Sequence, residues 1–65
     1  MDNKKIAEKL VQLRGEKSRA EVAKAVGVSI SAMTMYENGE RIPRDEIKVK
    51  LARYYGASLE AIFYT

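Results

Sequence analysis

Residues Arg19 to Asn38 read Arg-Ala-Glu-Val-Ala-Lys-Ala-Val-Gly-Val-Ser-Ile-Ser-Ala-Met-Thr-Met-Tyr-Glu-Asn. Small or apolar side chains stand at Val22, Ala23, Val26, Val28, Met33 and Tyr36. At helical spacing, Val22, Ala23 and Val26 share one face of a first helix, and Met33 and Tyr36 share a face of a second. Gly27 lies between the two runs, where a tight turn needs a residue that tolerates positive φ. Ala23 is small where two helices crossing steeply leave little room. The segment therefore predicts a first helix that braces a second and leaves the outer face of the second open.

Outward from this segment, glycine and proline divide the chain at Gly15, Gly27, Gly39, Pro43 and Gly56 into five pieces, each able to be helical. The first runs from about Asn3 to Arg14, capped by Asp2 or Asn3. Its apolar stripe is Ile6, Leu10 and Leu13, with Val11 beside it. Ser18 and Glu21 form a capping-box pair that opens the second helix, which runs to Val26. Ser29 caps a third that continues to about Glu37. Asn38-Gly39 is a chain-reversing pair. The loop Glu40 to Pro43 leads to a fourth helix with Asp45 and Glu46 in its first turn and Lys50 and Arg53 toward its end. Its stripe is Ile47, Leu51 and Tyr54 or Tyr55. Ser58 caps a short last helix carrying Leu59, Ile62 and Phe63. No stretch alternates with period two for long enough to predict a strand. The expected fold class is all-α, a compact five-helix domain covering residues 1–65.

Composition narrows the chemistry. The 65 residues include no cysteine, histidine or tryptophan. Disulfides and thiolate metal sites are therefore excluded, and the usual general base and the commonest nitrogen ligand for metals are missing. No enzyme activity, cofactor or metal is expected. Twelve Lys and Arg against nine Asp and Glu give a net charge of +3, and the pI is near 9.3. That excess permits nucleic-acid binding without arguing for it. No apolar run is long enough to span a membrane, and Met1 leads into Asp-Asn-Lys-Lys rather than a signal sequence, so a cytoplasmic location is expected.

Three segments carry a resemblance: Ser18 to Ser29, then Met-Tyr-Glu-Asn-Gly-Glu-Arg-Ile-Pro from Met35 to Pro43, then Leu-Ala-Arg-Tyr-Tyr-Gly-Ala-Ser-Leu-Glu-Ala-Ile-Phe from Leu51 to Phe63. Together they resemble the phage Cro/repressor helix-turn-helix family, also called lambda-repressor-like or xenobiotic-response-element-like, over about Ile6 to Phe63. The resemblance implies sequence-specific binding of double-stranded DNA, usually by a dimer on a two-fold site. Ile30, Ser31, Thr34 and Met35 of the third helix match positions that face base edges. Lys17, Arg19, Asn38, Arg41 and Arg44 match or flank the region that meets phosphates. Arg14 and Glu37 match a pair bridging the first helix to the end of the recognition helix. Two departures stand out. Relatives commonly carry two more residues between the first helix and the capping serine, so the first turn here is expected to be tighter. Arg19 replaces a common glutamine, exchanging a neutral phosphate contact for a charged one.

The stretch Ser29 to Tyr36 carries no charge, while Lys17, Arg19, Arg41 and Arg44 surround it. That suits a division in which cations grip phosphates and neutral side chains touch bases. Ser31 and Thr34 can hydrogen-bond to base edges. Ile30 and Met35 can meet thymine methyls, with core packing the alternative for both. No Arg, Gln or Asn lies within the helix proper, so direct readout should be modest and some specificity should come from DNA shape. The C-terminal third holds more aromatic and apolar residues than one small core needs. Tyr54, Ile62, Phe63 and Tyr64 are therefore candidates for a homodimer interface, with sealing of the core as the alternative. The expected function is a repressor-like transcriptional regulator. The alternatives are a protein-binding adaptor or anti-repressor, and an antitoxin with a protein partner.

Overall fold

The computed structural model describes residues 2–64. These form five helices: α1 (Asn3–Arg14), α2 (Arg19–Val26), α3 (Ile30–Glu37), α4 (Asp45–Tyr55) and α5 (Leu59–Phe63). No strand occurs among the described residues. The fold is the expected all-α, five-helix domain, with α2 and α3 forming the helix-turn-helix.

Local chemistry sets four of the five starts. Asp2 Oδ1 accepts from the backbone N–H groups of Lys4 and Lys5, at 3.0 and 3.2 Å. Ser18, Ser29 and Ser58 Oγ each accept from the N–H three residues on, all at 3.0 Å. Each cap satisfies an amide that would otherwise have no helical partner. α4 has no side-chain cap. Asp45 and Glu46 in its first turn complement the helix dipole there.

The turn between α2 and α3 depends on Gly27, which adopts φ 77° and ψ 35°, in the left-handed region. This bend lets the N–H of Val28 reach back to the carbonyl of Ala23 at 2.9 Å, closing the end of α2. Gly39, also at positive φ, lies against the start of α1. A Cβ there would stand 3.4 Å from the carbonyl oxygen of Asn3.

The core takes one or two turns from every helix: Ile6 and Leu10, then Val22, Ala23 and Val26, Met33 and Tyr36, Leu51 and Ala52, and Ile62 and Phe63. α1 packs on α3 and α5, α2 packs on α3 and α4, and α4 packs on α5. Leu10, Val22, Met33 and Leu51 have no exposed surface. α3 is thus held from both sides by its inner face, while Ile30 and Ser31 on its outer face are exposed and Thr34 and Met35 half-buried.

The expected dimer surface needs correction. Ile62 and Phe63 are 1% and 2% exposed and belong to the core, so they have no surface to offer a second chain. α5 turns both inward because a five-residue helix has one face for the core, and these two occupy it. Tyr54 is half-buried and Tyr64 is exposed.

Candidate nucleic-acid interface

α3 is uncharged from Ile30 to Tyr36. Its inner side carries Met33, Tyr36 and Glu37, all buried. At about 100° per residue, Ser31, Thr34 and Met35 fall on the opposite side, and Ile30 lies at the border, about 60° from Met33. Ile30 is 55% exposed, which places it on the surface rather than in the core. Ser31 is exposed, while Thr34 and Met35 are half-buried. The four sequence-derived positions therefore form one continuous outer face.

Glu37 anchors the far end of that helix. Its side chain has no exposed surface, and its two oxygens accept from Arg14 Nε at 2.8 Å and Arg19 Nε at 2.7 Å. One carboxylate thus ties the end of α3 to the end of α1 and the start of α2. Arg14 also donates through Nη1 to the carbonyl of Lys17 at 2.7 Å, drawing the short connection before α2 onto the same cluster. The hydrogen bond that Arg14 donates to Glu37 raises the guanidinium above its ordinary value and outweighs the desolvation that opposes it. Sequence reasoning paired Arg14 with Glu37 and missed the second arginine. A signal was present: Glu37 stands four residues after Met33, on the inner side of α3, where a lone carboxylate would be costly to bury.

The five cations and amides expected at phosphates fall into two groups. Arg19 carries the ion pair just described. Lys17 lies 3.8 Å from Glu21 and 5.5 Å from the centre of the Tyr54 ring. Asn38 Nδ2 donates to Glu40 at 3.1 Å. Arg41 and Arg44 are exposed, with no ion pair among the described residues. Both line a cleft of about 300 Å³ with Gly27, Val28, Ala32 and Tyr36, beside the turn and α3. Of the five, they are the cations that carry no ion pair among the described residues.

This geometry is two braced helices, a glycine turn, an exposed second helix and basic residues beside it. The model of the helix-turn-helix domain family matches residues 6–62. The chain belongs to that family. The match spans all five helices apart from the first turn of α1 and the last residue of α5. The helix-turn-helix domain is in general a DNA-binding unit of regulators, without catalysis of its own. No curated protein and no solved structure matches the chain. No helix among the described residues is long and apolar enough to cross a membrane, and no cluster of potential metal ligands occurs among them.

Two buried polar groups were not anticipated from the sequence. Lys48 is buried, with Nζ 3.2 Å from Tyr64 Oη and close to the rings of Phe63 and Tyr64. It also lies 3.7 Å from Asp45. Its position three and four residues before Leu51 and Ala52 places it on the inner stripe of α4, a signal readable from spacing. Tyr55 Oη is buried with no hydrogen-bond partner among the described residues. Burial first, and the Glu37 charge second, push its hydroxyl up to about 12.

Proposed function

We propose that this helix-turn-helix domain is a repressor-like transcriptional regulator that reads double-stranded DNA with α3. The observation that carries this reading is the uncharged outer face of α3, together with exposed Arg41 and Arg44, which line a cleft against Ala32 and Tyr36 of the same helix and carry no ion pair among the described residues. The major groove admits one helix. Cations at the margin of such a contact meet phosphates, while the helix meets base edges. In this assignment Ile30, Ser31, Thr34 and Met35 face bases. Arg41 and Arg44 are the main phosphate contacts, with Lys17, Arg19 and Asn38 at the edge.

The domain would act as a homodimer. A single helix lacking bidentate readers binds weakly, and joining two copies raises the effective concentration of the second. With Ile62 and Phe63 in the core, the joint would use Tyr64 and the open edge of Tyr54.

Selection of duplexes from a random pool tests the reading, followed by fluorescence anisotropy across salt concentrations. One consensus should emerge. Arg41→Ala and Arg44→Ala should each lower the log–log salt slope by about one while leaving that consensus unchanged. Failure to enrich any sequence would reject the assignment. Sedimentation with and without the selected duplex tests the dimer, which is rejected by one chain per duplex.

A further inference from the structure

Thr34 Oγ1 donates its proton to the carbonyl of Ile30, one turn back, at 3.0 Å. A threonine hydroxyl has one proton to give, and here it is used inside the helix. What Thr34 keeps for a ligand is its methyl group and the lone pairs of its oxygen. Its neighbours on the same face, Ile30 and Met35, are apolar. Ser31 alone brings a hydroxyl that is not turned back into the helix among the described residues.

The face is therefore poor in donors. Guanine N7 and O6, adenine N7 and thymine O4 are all acceptors in the major groove. Covering them without a donor strips water and puts nothing in its place. The thymine 5-methyl requires no hydrogen bond, and it is the one apolar group on those edges.

We infer that Ile30, Thr34 and Met35 form a surface that reads the 5-methyl groups of pyrimidines, with Thr34 as the specificity-determining residue. The inference rests on the DNA-reading assignment above and specifies its chemistry. It has a consequence for modified DNA. 5-Methylcytosine presents a methyl at the same ring position as thymine, and its amino group can donate to the lone pairs that Thr34 Oγ1 retains. A methylated cytosine at a read position is thus accepted where cytosine is not.

The test uses the duplex selected from a random pool, resynthesised with dU for each dT in turn and with 5-methylcytosine or cytosine at the read positions. Removing one buried methyl should weaken binding about fourfold. Thr34→Val keeps a methyl and should keep that penalty. Thr34→Ser keeps the hydroxyl alone and should abolish the penalty at one base, as Ile30→Ala should at another. Melting curves check that each variant folds. A selected duplex indifferent to dU at every position overturns the inference and leaves DNA reading intact. The inference is equally overturned if Thr34→Ser keeps the penalty and Thr34→Val loses it. If no duplex is selected at all, the DNA-reading assignment fails and takes this inference with it.

Discussion

A fully buried carboxylate is costly unless its charge is met, and Glu37 meets two guanidiniums. Arg14→Ala or Arg19→Ala alone leaves one partner in place. The double variant leaves the charge uncompensated. It should lose about 3 kcal/mol or more of stability, well beyond either single change, as measured by urea unfolding. Arg19 consequently cannot be treated as a phosphate contact alone, because its loss also loosens the end of α3. Tyr55 makes a second prediction. Its hydroxyl ordinarily titrates at 10 and is held near 12 in the fold. Below pH 10 it is protonated in both states and adds no pH dependence. Between pH 10 and 12 the unfolded chain releases the proton while the folded chain keeps it, so stability falls as pH rises. Thermal melts on either side of pH 10 should show that fall, and Tyr55→Phe should flatten it. Removing a buried hydroxyl that has no partner among the described residues should leave neutral-pH stability unchanged or raised.

The α2–turn–α3 unit depends on backbone conformation more than on space. The nearest atom to a Cβ at Gly27 is the end of the Lys50 side chain, 4.0 Å away, so a larger residue meets little obstruction. The cost is strain at φ 77°. Gly27→Val should destabilise by about 2 kcal/mol, because a β-branched side chain is poorly tolerated in the left-handed region. In a domain of this size that lowers the melting temperature by roughly 10 °C. Gly27→Asn should cost less, since asparagine enters this region more readily. Equal melting temperatures for the two variants would mean that the turn relaxes to another conformation. A turn that does hold keeps the angle between the bracing helix and α3, and so the presentation of Ile30 and Thr34.

The molecule spans only 26 × 22 × 22 Å, and its core is correspondingly thin. At roughly 0.05–0.15 kcal/mol per residue, a chain of 65 residues has a total stability of roughly 3–10 kcal/mol. Phe63 is among its largest fully buried side chains. Phe63→Ala should cost about 3–5 kcal/mol, a large share of that total. Circular dichroism at room temperature should then show substantial loss of helix. Tyr64→Ala removes a ring that is 53% exposed and should be far milder for the monomer. A dimer joined through Tyr64 would show the opposite order in sedimentation, with Tyr64→Ala dissociating a protein that remains folded.

The five helices, their serine and aspartate caps and the glycine turn were legible in the chain because each is a local matter. A cap needs the next three residues, and a turn needs one residue at positive φ. Most of the outer face of α3 was legible for the same reason, since Met33 and Tyr36 point away from Ser31, Thr34 and Met35, but Ile30 stands near the inner side by spacing and only its 55% exposure settles it. Three further things needed the tertiary structure. Arg14 and Arg19 converge on Glu37 only because the ends of three helices meet there, and no spacing within one helix encodes that. Ile62 and Phe63 turn inward while Tyr64 stays outside, because a five-residue helix is too short for periodicity to define its buried face. Whether Thr34 gives its proton to a ligand or to Ile30 depends on a rotamer, which sequence spacing does not set. Local interactions between near neighbours fixed the elements, and the rotation of those elements against each other decided which side chains remain to meet a partner.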